Sequence, residues 1–156
     1  AVSLPYSPLN EECARAVLKV VERDLLTPHG LRTLSPHDPE YRGNYGGNSG
    51  QRDSAYHQGT VWAWLIGHYL DAYLRVNGNT PEAKCAARTM LQPLLAHVRE
   101  AGLGTISEIF TGDAPHSPCG AISQAWSVAE VLRAWVESGG LTEECKDSGD
   151  QLVLVE

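Results

Sequence analysis

The chain is short of positive charge. Its 156 residues hold 12 lysines and arginines against 19 acids, for a net charge of −7, and no basic run exceeds two residues. That balance excludes a nucleic-acid partner or an anionic membrane surface and favours a neutral or cationic small molecule. It is also short of cysteine motifs. Cys13, Cys85, Cys119 and Cys145 form no CxxC pair, and no histidine stands at zinc-finger spacing from them. Four isolated thiols fit a reducing compartment. No apolar run approaches the ~20 residues of a membrane span. The opening "AVSLPYSPLN" lacks the charged and apolar regions of a secretory signal. These absences together predict a soluble, cytoplasmic chain of one domain.

What is present is helical periodicity. Over residues 8–25, Ser7 as N-cap and Pro8 at the first helical position precede Ala14, Val17, Leu18, Val21 and Leu25 at helical spacing. Residues 81–100 carry a similar stripe, with Pro93 expected to kink or split the helix. Residues 59–76 and 123–137 are apolar nearly all round, which predicts burial. In the first of these, Asp71 and Arg75 are four apart and suited to pair. The order is thus amphipathic, buried, amphipathic, buried. The expected fold is all-α, built from antiparallel hairpins. Residues 139–156 change to a polar, acidic character and are read as a tail beyond a domain of residues 1–138.

The connections alternate too. Residues 77–80 make a short turn, whereas 26–58 and 101–122 are long and rich in Gly, Pro, His and Tyr. In an antiparallel arrangement both long loops fall at one end. Elaborated loops on a rigid scaffold are where function usually sits. The first loop carries Arg32, His37, Asp38, Tyr41, Arg42, Tyr45, Arg52, Asp53, Tyr56, His57 and Gln58, and leads into Trp62 and Trp64. Aromatic rings beside bidentate polar groups suit a sugar, which offers hydroxyl rims and apolar C–H faces. His29, His37 and His57 lack metal-ligand spacing, so neither a metal nor another cofactor is expected. The second loop carries Glu108 among Ile106, Ile109 and Phe110. A carboxylate that activates water must be ionised yet shielded, and this setting offers shielding. Asp113, in "TGDAP", reads as a turn residue.

Three stretches carry a resemblance: "LLTPHGLRTLSPHDPEYRGNYGG", "RDSAYHQGTVWAWLIGHYLDAYLRV" and "ISEIFTGDAPHSPCGAISQAWSVAEVLRAW". Over most of residues 2–137 the chain closely resembles the C-terminal part of glycogen debranching enzymes of the bacterial and archaeal type, the amylo-α-1,6-glucosidases. The resemblance implies part of an (α/α)6 toroid, incomplete in this chain, and an inverting hydrolase with two carboxylates. It implies that Glu108, in "SEIF", is the general base. Tyr56, His57, Gln58 and Trp62 match the "YHQGTVW" wall of the glucose site. Trp126, in "QAWS", matches a tryptophan near the sugar pocket, and Gln124 of that motif joins the sugar-binding set. Arg42, Arg52 and Asp53 belong to the same motif-rich loop. The family's general acid lies upstream of the matched stretches. Ala63 stands where "VWPW" would have proline, and Thr111 where "IFDG" would have aspartate.

Two readings follow. In one, the chain carries the base half of an α-1,6-glucosidase site, acts on α-glucan or maltooligosaccharide, and is inactive unless a partner chain or a missing N-terminal segment completes it; homo-oligomers are then expected. In the other, it is a non-catalytic helical module that binds glycan or protein.

Overall fold

The computed structural model describes residues 1–141. From the N-terminus the elements are α1 (Glu11–Asp24), β1 (Leu26–Thr27), β2 (Gly30–Arg32), α2 (Ser49–Ala55), β3 (Val61–Trp62), α3 (Leu65–Val76), α4 (Pro81–Glu100), β4 (Ile109–Phe110), β5 (Pro118–Cys119) and α5 (Ala125–Glu137). The tail expected over 139–156 lies, from residue 142 onward, outside the described residues.

The all-α expectation is overturned. The five strands form one antiparallel sheet in the order β1-β2-β3-β4-β5, so the fold is mixed α/β and the all-α toroid does not describe it. The signal was hidden by length. Strands of two or three residues are too short to display a two-residue alternation. The pairing partners are also distant in sequence: Val61 opposes Phe110 and Trp62 opposes Ile109. The apolar run from Thr60 was read as the start of a helix. Its β-branched Thr60 and Val61 instead favour extended backbone, and α3 begins only at Leu65.

The helices themselves follow their caps. Asn10, not Ser7, caps α1, accepting from the Cys13 N–H at 2.8 Å. Thr80 caps α4 and Pro81 opens it, and the helix runs through Pro93 to Glu100 without a break. Gln124 rather than Ser123 caps α5; the Ser123 hydroxyl bonds that of Thr105 instead. The central helix is α3, which buries Ile66, Tyr69, Leu70, Ala72 and Leu74 and packs against α1, α4 and α5. Burial of each of the larger aliphatic side chains, Ile66, Leu70 and Leu74, contributes about 1.5–3 kcal/mol. Asp71 does not pair with Arg75. It receives a two-pronged bond from Arg133 at 3.0 and 2.9 Å, which ties α3 to α5, while Arg75 donates to the Pro5 carbonyl.

The helix α5, expected to be buried on nearly all sides, departs from expectation in another way. α5 buries Ser127, Val131 and Ala134, but among the described residues its outer face, with Val128, Leu132 and Val136, remains exposed. No helix of the described residues is long and apolar enough to cross a membrane.

Candidate active site

The two long connections meet through β3, which pairs on one side with β2 of the first and on the other with β4 of the second. Glu108 immediately precedes β4. Its N–H donates to the Ala121 carbonyl at 2.9 Å, and the Ala121 N–H donates back to Glu108 Oε2 at 2.9 Å. One residue therefore clamps both the main chain and the side chain of the acid. The other carboxylate oxygen, Oε1, accepts from the Tyr56 hydroxyl and from Gln124 Nε2 at 3.3 Å. All three partners donate, so the half-buried carboxylate is held as an acceptor. Such charge-assisted bonds are the strong kind.

Tyr56 is itself fixed. It closes α2, a short helix that starts with a reciprocal cap: the Gln51 N–H donates to Asn48 Oδ1 at 3.0 Å, and the Asn48 N–H donates to Gln51 Oε1 at 2.9 Å. The Tyr56 carbonyl accepts from Trp62 Nε1 at 3.1 Å and from the Thr60 hydroxyl at 2.7 Å. Burial, and then the bond to Glu108, raise the Tyr56 phenol well above its ordinary pKa, so it stays protonated and remains a donor. Cys119, paired with Ile109 across the sheet, has its thiol pushed up to about 11 by burial and then by the Glu108 charge. It stays a thiol at neutral pH and is a poor nucleophile there.

A second clasp holds the loops farther out. The Tyr41 hydroxyl donates to Asp113 Oδ1 at 3.0 Å, the Arg32 Nε donates to the Gly112 carbonyl at 2.8 Å, and the Gly112 N–H donates to the Gly43 carbonyl. Asp113 is also the turn residue foreseen, its carbonyl accepting from the His116 N–H at 2.9 Å.

The model of the amylo-alpha-1,6-glucosidase family matches residues 1–133. The chain belongs to that family. Among curated proteins it is similar to the glycogen debranching enzyme of Saccharomyces cerevisiae (strain ATCC 204508 / S288c), at 34% identity over 84 residues, which are 49% of this chain and 6% of the yeast protein. It thus spans a small part of the length of that relative. Together these matches support a chain that is like part of a debranching enzyme.

Within this amylo-α-1,6-glucosidase family chain, the residues named from sequence separate into groups. Tyr56 and Gln124 bond Glu108 directly. His57 stacks on Trp62 with centroids 5.2 Å apart and planes at 11°; Trp62 meets Trp126 at 6.3 Å. Trp62 is only 5% exposed, so it supports the His57 ring and offers little face of its own. Gln58 enters through its carbonyl, which accepts from the Arg42 N–H. The side chains of Arg42, Arg52 and Asp53 are exposed and none bonds Glu108; Arg52 donates to the Gly47 carbonyl at its own helix start. The Ala121 N–H and the Tyr41–Asp113 clasp were missed. A backbone donor carries no side-chain signature, and the clasp joins positions 72 apart. A separate cavity of about 200 Å³ lies between the first residues, α1 and α3, lined by Val2, Val17, Leu18, Val21, Leu65 and Tyr69 among others. Neither Glu108 nor its partners line it.

Proposed function

We propose that Glu108 is the general base of a site that hydrolyses α-1,6-linked glucose with inversion. The observation that carries this is the trio of donors, Tyr56, Gln124 and Ala121, that orients one carboxylate beside an aromatic wall. In the reaction, a water oxygen attacks the anomeric carbon while Glu108 takes the water proton. The bond to the leaving oxygen breaks with its electron pair, and an acid protonates that oxygen. In an inverting pair the two carboxyls stand about 6.5–9.5 Å apart, leaving room for the water. The acid corresponds, by resemblance, to a residue upstream of the matched stretches. On this reading the chain supplies the base half of the site and releases no glucose from glucan by itself.

A second reading, a glycan-binding module without turnover, rests on Asp113. This other carboxylate of the second loop is occupied by the Tyr41 hydroxyl.

α-Glucosyl fluoride separates the two, because fluoride leaves without a proton from an acid. The chain is expected to release fluoride and form β-glucose, measured by a fluoride electrode and by NMR of the anomer. Glu108→Gln lowers that rate about 10²–10⁴-fold, the usual worth of a general base. Release that survives Glu108→Gln removes the base assignment. Saccharide binding in calorimetry with no fluoride release favours the module.

A further inference from the structure

Of residues 106–110, Glu108 alone is not buried; Ile106, Ser107, Ile109 and Phe110 all are. The segment presents one carboxylate and hides its neighbours, so its register must be held firmly. Main-chain bonds do most of this. The Ile106 carbonyl accepts from the Gln124 N–H, and the Glu108 N–H donates to the Ala121 carbonyl. Ile109 and Phe110 pair with Trp62 and Val61 across the sheet. Ser107 is held differently. Its N–H donates to a side chain, His97 Nε2, at 3.3 Å, and its hydroxyl lies 3.1 Å from the same nitrogen. A buried N–H left without an acceptor is costly, so the imidazole takes the place of a strand partner.

That bond fixes the state of the ring. A backbone N–H can only donate, so Nε2 keeps its lone pair and the proton of the neutral imidazole belongs on Nδ1. Burial lowers the His97 pKa against the opposing charge of Glu100 on the same helix, which keeps the ring neutral at neutral pH. His97 is 4% exposed and lies in the last turn of α4. Its carbonyl accepts from the N–H groups of Ala101 and Gly102 at 3.0 and 2.7 Å, where the helix ends. Its ring meets Phe110 edge-on at 4.9 Å. One residue thus closes α4 and grips the chain on both sides of Glu108, at Ser107 before it and at Phe110 after it. Tyr56, Ala121 and Gln124 aim the carboxylate. His97 ties the backbone that carries it to a helix of 20 residues, and a site is held best when a rigid element supports it.

We propose that His97 is a positioning residue for Glu108, anchoring the base to α4 through a bare Nε2 at Ser107. The proposal rests on the reading of Glu108 as the base and adds what holds that base in line. His97 touches no substrate and passes no proton. It acts on rate rather than on sugar affinity, because a misplacement of about 1 Å can cost about 10²-fold in rate.

The test compares substitutions of His97 in the release of fluoride from α-glucosyl fluoride. His97→Phe keeps a ring against Phe110 and removes the acceptor. In His97→Gln the amide oxygen can stand where Nε2 stood, whereas in His97→Asn the side chain is a bond shorter and cannot reach Ser107. Phe and Asn are expected to lower kcat about 10–10²-fold with KM changed by less than about twofold, and Gln to keep most of the rate. A residue that only filled space would give the opposite order, with Phe the better replacement. Wild-type kcat in His97→Phe, or equal rates for Gln and Asn, overturns the proposal. Should His97→Phe fail to fold, the comparison of Gln with Asn decides. NMR of the whole chain reads the anchor without turnover. The ¹⁵N signal of His97 Nε2 is expected to be that of a bare ring nitrogen, and the Ala121 amide signal to shift in His97→Asn and return in His97→Gln. A protonated Nε2, or an Ala121 signal unmoved in both variants, overturns the anchor whatever the rate. No fluoride release, with Nε2 bare and Ala121 responding, removes the Glu108 reading and leaves the anchor standing.

Discussion

Tyr56 acts on Glu108 only while it keeps its proton, and its surroundings ensure that it does. Desolvation comes first and the Glu108 bond second in raising the phenol above the ordinary value of about 10. Tyr41 and Tyr69 are raised as well, so alkaline spectrophotometric titration of the chain is expected to show several late phenols, with one fewer in Tyr56→Phe. The same substitution keeps the ring against His57 and Trp62 but loses a bond to a charged group, costing about 1.5–3 kcal/mol, and is expected to slow fluoride release by loosening the carboxylate. His29 makes the opposite kind of residue-scale prediction. It stacks on Phe110 at 4.6 Å, its Nδ1 is buried with no hydrogen-bond partner among the described residues, and His97 and His116 face it at 6.2 and 6.4 Å. Burial, then the charges of those two histidines, lower its pKa to about 4. The unfolded chain, with a histidine near 6.5, binds the proton first. Stability is thus complete above about pH 6.5 and is lost as pH falls toward 4, by about 3 kcal/mol at most. Urea midpoints measured across that window are expected to fall, and His29→Phe is expected to flatten the curve. Glu108, Tyr56 and Gln124 were legible in the sequence because motifs name side chains. The clamp from the Ala121 N–H was not, because every residue but proline carries that donor.

At the scale of elements, legibility followed length. The span of α4 was readable as 81–100 from its long apolar stripe, although Pro93 was expected to kink or split it and one helix runs through that position. The strands were not readable, because each depends on a partner that the local sequence does not contain. Their geometry still leaves one sharp mark. At the β1–β2 turn, Gly30 has φ of +133°, and a Cβ there would stand 2.3 Å from the Trp62 carbonyl oxygen. Gly30 thus lets β2 lie against β3 and so sets the height of Trp62 beneath His57. Gly104 has φ of +90° with open space around it. Gly104→Ala is expected to cost about 1–2 kcal/mol, from backbone strain alone. Gly30→Ala adds the clash, so it is expected to cost more and to shift the Trp62 indole signal. Urea denaturation of both variants separates strain from contact; equal losses would show that the β2–β3 approach does not constrain the sheet.

For the whole molecule, the sequence identified α3 and α5 as equally apolar, yet the fold treats them differently. Four neighbouring elements enclose α3: α1, α4, α5 and β2. α5 packs mainly on α3 and α4, and among the described residues its outer face stays exposed. Periodicity reports which side chains avoid water, not what stands opposite them, so the difference could not be read beforehand. It has a direct energetic consequence. Leu70 of α3 is 1% exposed and Leu132 of α5 is 59% exposed. Removing the Leu70 side chain beyond Cβ takes apolar surface out of the core and leaves a cavity, so Leu70→Ala is expected to cost about 2–5 kcal/mol. Leu132→Ala removes surface that already faces water and is expected to change stability by no more than about 0.5 kcal/mol. Urea unfolding of the two variants at several protein concentrations checks this. A large loss for Leu132→Ala that grows with protein concentration would mean that the outer face of α5 is covered by a second copy in solution.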